Sequence, residues 1–442
     1  MAPSGAGRRA RLVVRAMTVS ERDNVTPVAV GDPAGALRTR PGLTVRARRV
    51  EGAPVVAVRI WIPSGARAET APGHAMLTGR MLAEGTRSRD FRRIAEEAEN
   101  LGMSLSSFGG FEVYGVTADA LSRDWERALE WAAELTLEST FPADRAAFVA
   151  RQIEADLESM GDQPDIRTAW GFLDQLYAPH PRARPVQGTV ESLRAAEPAD
   201  ALAHHRRGLA SGVLVGIAGA IDEDEVRKRA EELFSSLPET ATPGAEPPAP
   251  SGTGERHREV ETSAEDQAHL YMGHLTVPRG HEDYEALELV AVVLGSGAGL
   301  TGRIPARIRE REGLAYTAYA QTIAGSGFDP GRLVAYVGTS PDTVAQAERG
   351  VAEEIARLVD GGVTDDELEE ARAYLLGRDP FQRETARQWA ELLTEASLYG
   401  LAVDDPAWRL DRLRAVNRPA AEAAARRHLR PADLLVTVGL PE

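Results

Sequence analysis

The feature that most limits how this chain can fold is that it rhymes with itself. Leu77-Thr78-Gly79-Arg80 returns as Leu300-Thr301-Gly302-Arg303 at an offset of 223, and Leu193-Arg194-Ala195 returns as Leu413-Arg414-Ala415 at an offset of 220. HHRRGLASGVLVGIAG (204–219) has a counterpart in ARRHLRPADLLVTVG (425–439), with Leu209 falling on Leu429 and Gly219 on Gly439. Matches in one order at a nearly constant spacing indicate a duplicated unit. Between the copies lies PETATPGAEPPAPSGTGE (238–255), almost free of large apolar groups, which reads as an exposed linker. The chain therefore divides into an N-terminal arm at 1–41 (with Met17 as an alternative start), a domain at 42–237, the linker, and a second domain at 256–442.

Periodicity sets the class of each domain. VVAVRIWIP (55–63) alternates as a strand, and FEVYGVTA (111–118) and GRLVAYVGTS (331–340) read the same way. Segments 90–101, 122–137, 142–160, 222–236, 341–359 and 364–377 carry helical spacing, and Thr364 with Glu367 forms a capping box at the start of the last. Strands and long helices do not alternate regularly. The expected architecture is two α+β domains, each a mostly antiparallel sheet packed with helices.

Composition removes several functions. A formal charge of −16 disfavours nucleic acid and anionic membranes as partners, and no apolar run approaches the roughly 18 residues a membrane span needs. With no cysteine there is no disulfide and no thiolate metal site, which fits a reducing, cytoplasmic setting. Nine histidines are present, but neither H-E-x-x-H nor H-x-x-E-H occurs, and the adjacent His204 and His205 read as helix-surface residues. GAGLTG (297–302) matches the dinucleotide pattern, yet DYEALELVAVVL (283–294) before it has helical spacing and YAQTIAG near 321 offers no carboxylate for a ribose. As a bend between two helices that run needs no ligand, and no cofactor is expected in this chain.

In the second half, TGRIPARIREREGLAYTAY (301–319) is a basic helix running into a Gly-Leu-Ala-Tyr strand. Taken with GLTVRARRVEGAPVVAVRIWIPSGARAE from residue 42, RPVQGTVESL (184–193) and DDELEEARAYLLG (365–377), it resembles the pitrilysin/insulinase-like zinc metallopeptidases. The similarity is to the short branch that contains mitochondrial processing peptidase and its bacterial relatives. In that family H-x-x-E-H sits on the helix after the first strand. Laid on GHAMLTGRMLAEGT (73–86), the ligand histidines fall on Met76 and Arg80 and the catalytic Glu on Gly79. The third ligand matches Glu158, with which Arg80 is then placed to pair.

Methionine is a poor zinc ligand, glycine offers no base, and Arg80 brings a fixed positive charge, so no metal is expected in this chain. The resemblance further implies that a zinc-free subunit contributes an Arg and a Tyr from R-E-x-x-G-L-A-Y, here Arg309 and Tyr316, to a partner that bears H-x-x-E-H and the zinc. Arg303, Arg307, Arg309 and Arg311 are expected to hold substrate carbonyls, and Gly297 and Gly299 to form part of a glycine-rich substrate loop. From the residues alone, Tyr316 is equally an ordinary strand tyrosine and the arginines a solvated helix face. The expected function is the zinc-free half of a heterodimeric metallopeptidase acting on peptides; the alternative is a non-catalytic scaffold of the same fold.

Overall fold

The structure, a computed structural model, describes residues 42–52, 54–238, 244, 246–263, 266–297, 302–401 and 407–441. The arm at 1–41 and Gly299 lie outside these residues.

The first half runs β1 (Leu43–Arg49), β2 (Val55–Ile62), α1 (His74–Met81), α2 (Phe91–Asn100), β3 (Ser104–Gly109), β4 (Tyr114–Leu121), α3 (Trp125–Leu137), α4 (Ala143–Gly161), α5 (Pro164–Tyr177), α6 (Val190–Ala195), α7 (Pro198–Ser211), β5 (Val213–Gly219) and α8 (Glu223–Leu233). The second runs β6 (His257–Thr262), β7 (Ala268–Leu275), α9 (Tyr284–Ala291), α10 (Arg303–Pro305), β8 (Ala315–Ala324), β9 (Arg332–Thr339), α11 (Val344–Gly361), α12 (Asp365–Arg378), α13 (Ala386–Tyr399), α14 (Ala407–Ala415), α15 (Arg418–His428) and β10 (Leu435–Pro441). Two π-helical turns, Val292–Ser296 and Ala306–Arg311, extend α9 and α10. Among the described residues no helix is long and apolar enough to cross a membrane.

The duplication is written in the topology. One sheet is ordered β1-β5-β2-β4-β3 and the other β6-β10-β7-β9-β8, so each strand has its counterpart at the same place. In both, the first pair is parallel and the other three are antiparallel. The cores match as well. Val56, Val58, Ile60 and Ile62 turn one face of β2 into the first core, while Leu270 and Met272 do the same for β7 in the second.

The register corrects two of the sequence matches. Gly216 pairs with Arg59 and Gly439 with His269, and each glycine lies under a helix from the opposite half, so Gly216, not Gly219, is the structural counterpart of Gly439. The extra turn Pro431–Asp433 between α15 and β10 moves the offset from 220 at Leu209/Leu429 to 223 in the strand. With a side-chain period of two, a three-residue slip would turn each residue to the wrong face. The LTGR match also fails. Leu77–Arg80 lies inside α1, which packs on β3 and α7, and the helix that packs in the same way on β8 and α15 is α9. Gly302 and Arg303 open α10 instead, while Leu300 and Thr301 lie outside the described residues.

The strands separate at the linker but the packing does not. Helix α5 of the first half lies on β10, β7 and β6, and α13 of the second half lies on β5, β2 and β1. Glycine makes room at each crossing. A Cβ on Gly216 would stand 2.1 Å from Thr394 Oγ1 of α13, and one on Gly439 2.0 Å from Thr168 Oγ1 of α5. Both threonines turn their hydroxyls back to the carbonyl four residues earlier, Ala390 and Pro164. Phe172, Leu176 and Tyr177 thereby cover Val334 and Leu435, and Ala386, Trp389 and Ala390 cover Ala57 and Ala218. Arg59, buried in the first sheet, reaches Glu391 of α13 as well as Asp119 beside it.

Candidate functional site

Helix α1 carries the positions matched to the zinc motif. It begins after Gly73, whose φ of 84° is natural only to glycine. The buried Glu69 accepts from Ala75 N at 3.2 Å, a carboxylate placed on a helix start. Burial raises the Glu69 carboxyl to about 7, although the Ala75 and Gly73 amides and Arg184 pull the other way.

Seven of the eight residues of α1 are buried; Arg80 alone reaches outward. Thr78 is buried because its hydroxyl donates back to His74 O at 2.7 Å. Gly79 faces β3 at contact distance: a Cβ there would lie 2.2 Å from Phe108 O. From the other side, a Cβ on Gly109 would lie 2.5 Å from Met76 Cα. The surface of α1 that would present ligands is thus in backbone contact with a strand.

Arg80 pairs with Asp156 at 2.7 Å and not with Glu158, which is exposed. The pairing expected from sequence took the wrong residue because α4 turns position 156, not 158, toward α1. Met76, Gly79 and Arg80 offer no nitrogen lone pair and no carboxylate, and there is no room at Gly79 for a base. These residues do not fit a zinc ion.

The second set of positions lies where α10 gives way to β8. Arg309 sits in the π-helical turn, with its guanidinium carbon 4.7 Å from the centre of the Tyr316 ring. Tyr316 is 82% exposed, at the start of edge strand β8, where a register shift between Ala315 and Thr317 leaves it out of the ladder.

The neighbouring arginines are committed elsewhere. Arg303 holds Glu367 through two 2.7 Å bonds and donates to Gly362 O at 2.9 Å, so it ties α10 to the capping box of α12. The guanidinium expected to meet substrate carbonyls is thus engaged by Glu367 and Gly362 O in this structure. Arg307 is bound to Glu312 and Glu353, and Arg311 stands 3.6 Å from the buried Glu354. Of the four, Arg309 is the one with no ion pair among the described residues.

Gly297 is half-buried with an extended ψ of −162°. Gly295 and Gly302, which flank the glycine-rich loop read from the sequence, are both at positive φ, and a Cβ on Gly302 would be 2.6 Å from Gly295 Cα. The element before this loop is a helix and not a strand, so the geometry of a dinucleotide fingerprint is absent there. None of the hydrogen bonds, ion pairs or ring contacts among the described residues joins Arg309 or Tyr316 to α1.

Sequence reasoning placed His204 and His205 on a helix surface, but both are buried. Their Nε2 atoms reach Ser64 O at 2.7 Å and Thr136 O at 2.8 Å, and His205 Nδ1 meets Tyr114 Oη at 3.1 Å. Burial lowers both imidazoles to about 4. Helix α7 is covered by α1 on one side and by the sheet on the other, which a local pattern of polar residues does not disclose. Also missed was the joint between the halves, where Arg67 grips Asp329 at 2.8 and 3.1 Å and His180 Nε2 lies 3.2 Å from the same carboxylate. Burial would raise the Asp329 carboxyl, but the facing His180 and Arg67 hold it at about 2.

Comparison with known proteins assigns both halves. The family described as "Insulinase (Peptidase family M16)" matches residues 44–187, and "Peptidase M16 inactive domain" matches residues 209–375. An uncharacterized zinc protease of Mycobacterium leprae is 28% identical over 375 residues, covering 83% of each chain. One from Bacillus subtilis is 28% identical over 327 residues, covering 73% of this chain and 78% of its own. A solved structure of a peptidase M16 inactive domain from Pseudomonas fluorescens superimposes with a TM-score of 0.82 at 23% identity, over 91% of this chain and 96% of its own. A protease from Helicobacter pylori gives 0.82 at 14% identity, over 90% and 97%.

Proposed function

The chain belongs to the insulinase-like M16 peptidase family, and we propose that it is the zinc-free subunit of a two-chain metallopeptidase. Its relatives are named zinc proteases, but the positions that would hold zinc here are Met76, Gly79 and Arg80, on a helix face packed against β3. Peptide hydrolysis would then need a homologous partner bearing H-x-x-E-H, which supplies zinc and the water it activates.

This chain would contribute a cation and a phenol. Cleavage of a peptide builds negative charge on the scissile carbonyl oxygen, and donors aimed at that oxygen lower the barrier. Tyr316 offers an O–H donor and Arg309 a fork of N–H donors. The strand that carries Tyr316 is at a sheet edge, where its outer backbone groups are open to an extended peptide. The observation that carries the reading is the contrast within one cluster. Three of four arginines are bound to carboxylates, while Arg309 is left beside an 82% exposed tyrosine.

The test is reconstitution with the H-x-x-E-H partner and measurement of peptide kcat/KM. Tyr316→Phe and Arg309→Ala should each lower it about 100-fold, the scale of one lost oxyanion donor. Unchanged turnover in both variants removes Arg309 and Tyr316 from catalysis. The scaffold reading draws on the closed face of α1; it predicts full assembly with the partner and no peptidase activity.

A further inference from the structure

A cluster of metal-ligating side chains lies away from both sets of positions above. His281 and Asp283 stand just before and at the N-cap of α9, and His428 is the last residue of α15. Packing of Ala286 and Leu287 against Ala424 brings the start of one helix to the end of the other. His428 Nε2 is 2.7 Å from Asp283 Oδ2, and His281 Nδ1 is 3.9 Å from the same oxygen. The two rings stand edge to face with centroids 5.0 Å apart, and one ligand atom from each residue falls within 4.8 Å of the others.

We infer that His281, Asp283 and His428 form a binding site for a zinc-class divalent ion that staples α9 to α15. Two imidazoles and one carboxylate are the donors that select zinc or cobalt over calcium and magnesium, which prefer oxygen. Bonds of about 2.0–2.1 Å put the ligand atoms of a tetrahedral ion about 3.3 Å apart, between the 2.7 and 3.9 Å found here, so small side-chain rotations complete the geometry. The side chains are 31%, 12% and 18% exposed, which leaves a fourth position open to water.

Attraction between helix ends accounts for part of the cluster. An acid at the start of α9 and cations at the end of α15 complement the two dipoles, and Arg427 donates to Asp283 as well. It does not account for His281, whose Nδ1 is directed to the same region and accepts from Asp283 N at 3.1 Å. Coordination takes that lone pair from the amide. It also releases Arg427 to Glu282, which lies 4.0 Å from the guanidinium.

The experiment uses the full chain, stripped with chelator, and zinc or cobalt alone as the titrant. One equivalent should bind in the low micromolar range, cobalt should show the visible absorption of a four-coordinate ion, and zinc should raise the thermal midpoint by a few degrees. His428→Ala should abolish all three. His281→Ala removes a half-exposed ring and should fold as the parent by circular dichroism while losing uptake at least tenfold. No uptake at about 100 μM zinc, or uptake unchanged in His281→Ala, overturns the assignment. The readout is metal stoichiometry, so it is independent of any peptidase role.

Discussion

On α1 the structure leaves no room for a side chain at Gly79, and Gly79→Ala reads that directly. In a helix whose surface is open, replacing an interior glycine with alanine adds roughly 1 kcal/mol of stability, because the glycine has more backbone freedom to lose. Here the new methyl would stand 2.2 Å from Phe108 O and 2.7 Å from Gly109 Cα. An ordinary carbon–oxygen approach is about 3.3 Å, so the overlap with the carbonyl is about 1 Å. The obstacle is strand backbone, which cannot rotate away as a side chain would. Overpacking of this kind costs about 1–3 kcal/mol, so the net result should lie between no gain and a loss of roughly 2 kcal/mol. Urea denaturation followed by tryptophan fluorescence measures it, since Trp61 packs edge-on to Phe108. A gain of about 1 kcal/mol would refute the claim that α1 and β3 are in contact. By the same reasoning, the triple change Met76→His, Gly79→Glu, Arg80→His should give no zinc-dependent peptidase activity, because the glutamate, the base of that motif, would overlap Phe108 O.

The exchanged helices predict a compensating pair: Gly439→Ala should destabilise by about 1–3 kcal/mol, and adding Thr168→Ala, which removes the hydroxyl 2.0 Å away, should recover part of it in the same denaturation assay. Burial lowers His204, His205 and His274 to about 4, against about 6.5 in an unfolded chain. Above pH 6.5 both states are neutral and stability is whole; as pH falls from 6.5 to 4 the unfolded chain takes up protons that the native state refuses, so stability should fall with acid, by at most roughly 3 kcal/mol per histidine. Urea midpoints that stay flat from pH 7.5 to 4.5 would contradict their burial. Arg303→Ala should lower the thermal midpoint by a few degrees through loss of the partly buried pair with Glu367, whereas Tyr316→Phe, on an exposed ring, should leave it within about 1 °C.

Several features were legible from contiguous residues. The capping box of Thr364 and Glu367, the strand read at 55–63 and the helix read at 364–377 depend on hydrogen bonds and side-chain periods within a few positions, and the structure has the box, a strand at Val55–Ile62 and a helix at Asp365–Arg378. The replacement of the zinc-motif residues by Met76, Gly79 and Arg80 is likewise a matter of identity at given positions.

What the amino-acid order determined by itself was the kind of unit and its repetition, along with the identities Met76, Gly79 and Arg80 at the zinc-motif positions. Tertiary structure alone decided which partner each charged group would have. Arg80 took Asp156 over Glu158, two residues away, because the rotation of α4 relative to α1 selects one of them. Arg303 was drawn to a glutamate 64 residues later, and Arg309 was left beside Tyr316 with no ion pair among the described residues. His204 and His205 were buried by elements that arrive from both sides, and Gly439 was matched to Gly216 by the face it shows to an exchanged helix. Local patterns encode periods and caps, whereas the direction in which a side chain meets a distant neighbour depends on how helices and strands rotate against each other when they pack.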